Sequence, residues 1–172
     1  MAERWLVLGL GNPILGDDGV GWHVADAVER SLNDSSGTVT VERAALGGLH
    51  VMERLIGYDW AIIVDAIHTG RYGAGRVSLL PLEDLPDSVA GYTNSSHDTS
   101  LRTAMEVGRT LGARLPPPEH VTIVAVETAR EYDFSEELSS AVRAAVPRAA
   151  ALVLGTLDRT DHSLEEAHHG VH

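Results

Sequence analysis

"WLVLGLGNPILGDDGVGWHVADAVE", residues 5–29, passes from an apolar run through a glycine-rich turn into a helical pattern. The run RWLVLGL, residues 4–10, has the continuous apolar character of a buried parallel strand. From about residue 20, Val20, Val24, Ala27 and Val28 recur at helical spacing, with Asp17 or Asp18 placed to cap the helix. Gly9 and Gly11 suggest a dinucleotide loop, but the third glycine of that fingerprint belongs at position 14, where Ile14 stands. Asp17 and Asp18 would also repel a pyrophosphate. A strand, a tight turn and a helix begin an α/β fold, and the turn presents acid.

The remaining chain repeats this alternation. TVTVERA is a second strand, followed by a short helical pattern with Leu49, Met52, Leu55 and Ile56 on one face. DWAIIVDAI, residues 59–67, is the strongest strand signal, a β-branched run buried on both faces with Asp65 near its end. RVSLLPL, residues 76–82, is a strand that Pro81 assigns to a sheet edge. Residues 83–97 carry turn formers without periodicity and read as a long loop. Leu101, Ala104, Met105, Gly108 and Leu111 mark a helix over 98–112, and HVTIVAVE, residues 120–127, is the last strand. Leu138, Ala141, Val142, Ala145, Ala149, Leu152 and Val153 mark a final helix that Pro147 should kink. The expected fold is a three-layer α/β sandwich around a mostly parallel sheet, one domain over residues 1–160 with a flexible tail at 161–172.

Composition bounds the chemistry. The chain of 172 residues has no cysteine, which removes disulfides, thiolate nucleophiles and Cys-ligated zinc. All 13 basic residues are arginine, so a Schiff-base lysine and a P-loop lysine are absent as well. A net charge of −12 opposes nucleic-acid backbones. No uninterrupted apolar run reaches the roughly 18 residues of a membrane span, and the N-terminus lacks a signal-peptide pattern, so a cytoplasmic protein without a membrane partner is expected.

Ligands on open α/β sheets bind outside the carboxyl ends of the strands. That rule selects Asp17 and Asp18 after the first strand, Asp65 at the end of the third and His97 where the long loop meets a helix. Two carboxylates and an imidazole make an open site suited to zinc, nickel or a similar divalent ion. Each residue also has a plainer reading. An Asp pair before a helix suits a cap or a turn, His97 suits a surface, and Ser95 with Asp98 has capping-box spacing. His23, His50, His68 and His120 read as ordinary polar residues, with His68 placed to support Asp65, and His168, His169 and His172 lie in the tail. No G-x-S-x-G elbow is present.

In combination, LVLGLGNPILGDDGVG, IIVDAI, SSHDTSL and VTIVAVE followed by FSEELSSAV resemble the hydrogenase maturation endopeptidases over roughly residues 4–157. That resemblance implies a cytoplasmic enzyme that removes a C-terminal extension from the large-subunit precursor of a nickel-iron hydrogenase after nickel insertion. It places the family's metal-contacting acid on Asp18, its strand-end aspartate on Asp65 and its histidine on His97. The divalent metal is then either a resident catalytic ion or, as the resemblance implies, nickel carried by the precursor, for which zinc can substitute, and the sequence does not choose between them. The chain departs from the family at two points. Members often carry Glu where Asp18 stands, and LGGLH, residues 46–50, keeps glycines Gly47 and Gly48 but lacks the acid and hydroxyl of an Asp-Gly-Gly-Thr stretch.

Two other readings compete. Peptidyl-tRNA hydrolases also open with a strand and GLGNP, but Trp22 occupies the place of their histidine, with His23 one step out of register, and the acidic charge opposes tRNA. A metal-dependent assembly chaperone that binds the hydrogenase subunit without cutting it would use the same crevice. A monomer is expected.

Overall fold

Three apolar strands at the centre of the sheet determine the layout. The computed structural model describes residues 2–32, 37–85, 100–129 and 133–169, the last ten by backbone alone. β1 (Trp5–Leu10), β3 (Trp60–Ile67) and β5 (Val121–Glu127) are buried almost throughout, because both of their faces are covered. β2 (Val39–Ala44) and β4 (Val77–Pro81) flank them in the order β2-β1-β3-β5-β4. All neighbours are parallel except β4, which runs antiparallel to β5 at the edge that Pro81 indicated.

Alternation along the strands divides the core in two. On one face, Leu6, Leu8, Ala61, Ile63 and Ile123 pack beneath α2 (Gly48–Leu55) and α3 (Leu101–Thr110). On the other, Val7, Ile62, Val64, Val124 and Val126 pack beneath α1 (Val20–Ser31) and α4 (Ser140–His169). Each fully buried Val, Leu or Ile contributes about 1.5–3 kcal/mol relative to exposure, so these two layers supply most of the driving force.

Three helices differ from the sequence pattern in detail. The buried face of α2 is Val51, Met52 and Leu55, while Leu49 and Ile56 are exposed. Leu111 lies just past the end of α3 and is also exposed. In α4, Ala141 is exposed and the buried stripe continues through Ala150 and Leu157. The helix passes through Pro147, whose ring is on the exposed side, and its backbone remains helical to His169 through much of the segment read as a tail. Although no apolar run of membrane-spanning length is expected from the sequence, Ser140–Arg159 is long and apolar enough on average to cross a membrane. Here Val142, Ala145, Ala149 and Val153 pack it on the sheet.

The strand order creates a crevice. β1 connects through α1 to β2 on one side, whereas β3 leads to β4 and β5 on the other. The two connections part between the carboxyl ends of β1 and β3, the switch point at which doubly wound sheets bind ligands. α1 reaches this point by backbone contact. A Cβ on Gly9 would run into the Gly21 carbonyl, and one on Gly21 into the carbonyls of Leu10 and Val64. At the opposite end of the sheet, Trp60 stacks between Trp5 and His120, and Asp59 accepts from Arg114 at 2.7 Å.

Candidate active site

The turn after β1 separates its adjacent aspartates. Gly11, at φ 125°, redirects the chain so closely over the turn that a Cβ there would meet the Asp18 carbonyl. The Asn12 side chain accepts from the Ile14 amide at 3.2 Å, an Asx-type turn that gives this asparagine a structural task. Residues Gly16–Gly19 then form one 3-10 turn, and Asp18 points inward, fully buried, with Oδ2 accepting from the Asn12 amide at 2.7 Å.

Asp17 points the other way. Its carboxylate accepts from the Ser139 amide at 2.6 Å and the Ser139 hydroxyl at 2.8 Å, at the start of α4. The expectation that an aspartate caps α1 is therefore corrected: the N-cap of α1 is Gly19, without a side-chain cap, and Asp17 serves a helix 122 residues away in sequence. The same two loops are joined by the Leu15–Ser135 bridge, with the Gly16 amide donating to the Ser135 carbonyl at 2.6 Å.

Asp65 lies near the end of β3 and is 4% exposed. Desolvation holds its carboxyl well above the usual carboxylate range, and the Asp18 charge pushes it further in that direction, against the Ala66 amide. Two of the three residues expected at the crevice are thus buried near its floor, with the Asp18 charge opposing ionisation of Asp65. His97, the third, lies outside the described residues, as do Ser95 and Asp98. The chain re-enters at Ser100, which caps α3 by accepting from the Thr103 amide at 3.3 Å, and α3 covers the face to which alternation assigns Asp65. Among the described residues no three His, Asp or Glu side chains converge as a metal site.

Glu127 is a buried acid that sequence reasoning left unassigned. It ends β5, and its Oε1 accepts from the Thr69 and Gly70 amides at 2.7 and 3.0 Å, while Oε2 accepts from the Thr69 hydroxyl at 2.9 Å. The signal was available, since an apolar strand ending in an acid is the pattern that selected Asp65. His68 is exposed beside this loop, and its Nδ1 lies 2.9 Å from the Thr128 carbonyl. A carbonyl can only accept, so Nδ1 is the donor in this contact. His50 pairs with Glu53 on the exposed face of α2, and His120 stacks on Trp60 at the far end of the sheet. Gly47 is the N-cap of α2 and supplies no side-chain cap.

The family model described as "Hydrogenase maturation protease" matches residues 22–156, a span that includes Asp65 and His97 and begins just after Asp18. The chain is 26% identical over 148 residues to the hydrogenase expression/formation protein HupD of Rhizobium leguminosarum bv. viciae, covering 86% of this chain and 71% of that protein. It is 30% identical over 127 residues to the hydrogenase 2 maturation protease of Escherichia coli (strain K12), covering 72% of each. In structure it is similar to the hydrogenase maturating endopeptidase HybD from E. coli, with a TM-score of 0.73 and 26% identity over 91% of this chain and 93% of that one. With the family model matching most of its length, the chain belongs to the hydrogenase maturation protease family and is a peptide-bond hydrolase.

Proposed function

We propose that this enzyme removes the C-terminal extension of a nickel-iron hydrogenase large-subunit precursor after nickel insertion, and that Asp18, Asp65 and His97 contact the nickel that the precursor brings. The observation that supports this most is the buried Asp18–Asp65 pair at the switch point. Two desolvated carboxylates in mutual opposition form a surface for a divalent cation, and binding one would relieve both burial and repulsion. Two oxygens and one nitrogen suit nickel, or zinc in its place, and leave positions for the precursor's own ligands. Held by Asp18, Asp65 and His97, such an ion would supply Lewis-acid chemistry to a carbonyl brought into the crevice.

In this reading the protein's own residues hold and align. Asn12 fixes one Asp18 oxygen through its amide, and Asp17 holds the outside of the turn against α4. The working unit is residues 1–160, a cytoplasmic monomer whose partner is the precursor rather than nucleic acid or membrane. Incubation with nickel-loaded and metal-free precursors, followed by mass measurement, tests the reading. Loss of a C-terminal peptide from the loaded form alone is expected. Asp18→Asn, Asp65→Asn and His97→Ala should remain folded and leave the precursor intact. Full processing by all three variants overturns the site assignment, and an intact precursor held in complex by the wild type favours the chaperone reading.

A further inference from the structure

The turn that points Asp18 inward presents Ile14 on its outer side, 48% exposed. Beside it the loop before α4 holds out Phe134, the chain's single phenylalanine, 87% exposed. Neither side chain is on a loose end. The Ser135 amide donates to the Ile14 carbonyl at 3.0 Å, the Gly16 amide donates back to Ser135, and Asp17 ties the turn to Ser139. The Glu137 amide further donates to the Ser135 hydroxyl at 3.0 Å. An aromatic ring held out on a braced platform loses little conformational freedom when a partner covers it, which is how binding anchors work.

The surroundings carry a sign. Asp133, Glu136 and Glu137 are exposed on the same short segment, and Arg143, 3.3 Å from Glu137, offsets part of that charge. A groove of about 380 Å³ opens next to them between α1 and α4, where Leu138 and Val146 supply apolar lining and Asp26, Glu136 and Glu137 are partly offset by Arg30 and Arg143. We infer that Phe134 with its acidic neighbours Asp133, Glu136 and Glu137, together with Ile14 and the adjoining groove, forms a docking surface for a basic segment with apolar side chains on the precursor, an inference that rests on the protease reading. Charge complementarity selects the partner: acids rimming an apolar anchor favour arginine or lysine flanking a hydrophobic residue. Leu111 provides a contrast, since it is 82% exposed but lies at the end of α3, away from this braced pair of loops.

The test measures cleavage of the nickel-loaded precursor and, separately, its binding to immobilised enzyme. Phe134→Ser is expected to raise KM and Kd at least tenfold, with kcat within twofold and an unchanged melting temperature. Phe134→Leu should recover part of the loss. Glu136→Lys combined with Glu137→Lys should weaken binding at low salt and converge on wild type at high salt, and Leu111→Ser should change neither constant. Unchanged KM and Kd in Phe134→Ser overturn the docking surface while leaving the protease reading intact. Binding without cleavage by the wild type overturns the protease reading, and the Kd comparison then decides the surface alone. A wild type that neither binds nor cleaves any loaded precursor overturns both.

Discussion

Two buried acids end neighbouring strands, Asp65 on β3 and Glu127 on β5, in opposite surroundings. Glu127 is embraced by donors: two amides and a hydroxyl from Thr69 and Gly70 occupy both of its oxygens. Asp65 meets burial and the charge of Asp18. The first arrangement stabilises a loop, and the second costs stability whenever both acids are ionised. Burial of an acid is therefore not by itself a mark of function; the nature of its neighbours is.

This contrast can be broken most forcefully through activity. Asp65→Asn should lower precursor cleavage by more than about a hundredfold, beyond the usual cost of losing an outer-sphere contact to a metal. A discontinuous assay with mass detection checks it, and Glu127→Gln in the same assay should retain turnover in the fraction that remains folded. On stability the order reverses. Glu127→Gln keeps an acceptor for the two amides but removes the charge that strengthens those bonds, and it puts an NH2 donor where Oε2 accepts from the Thr69 hydroxyl, which should cost about 1–3 kcal/mol in denaturant unfolding.

Asp65→Asn should instead raise the melting temperature of the metal-free protein, by about 2–4 °C if the gain is roughly 1 kcal/mol. The sign follows from the raised carboxyl. The fold accommodates the neutral acid, so its contribution is present below the ordinary carboxylate range and is lost as pH climbs through the raised value. Asparagine stays neutral throughout. The gap between variant and wild type should therefore open as pH rises above that range and remain open, and melting curves across pH in the presence of chelator measure it. The smallest effect is expected at the outer brace. Ser139→Ala removes one of the two bonds to Asp17 and should cost about 0.5–1 kcal/mol with cleavage retained, as read by melting and turnover together.

Much of the architecture was legible because strands buried on both faces read as uninterrupted apolar runs, as in AIIVDAI. Asp18 and Asp65 were legible for a topological reason: they flank the point where the chain's crossovers diverge. Helix faces were less so. α2 has only eight residues, and two turns admit more than one apolar stripe, so Leu49 and Ile56 appeared inward while Val51 carried the contact. The partner of Asp17 was out of reach for another reason, since a hydrogen bond to Ser139 leaves no local pattern. Glu127 was passed over because its acid closed a recognisable strand and its donors sit on a loop 57–58 residues earlier.

The meeting of Gly9 with Gly21 bears on how this enzyme can be altered. Strand and helix touch there main chain to main chain, so no rotamer can adjust the gap and no larger residue can enter it. Distance between the acid turn and β3 is consequently not a quantity that stepwise substitution can tune. Redesign toward another substrate has to treat residues 9–21 as a fixed chassis and vary the loops bolted to its outside.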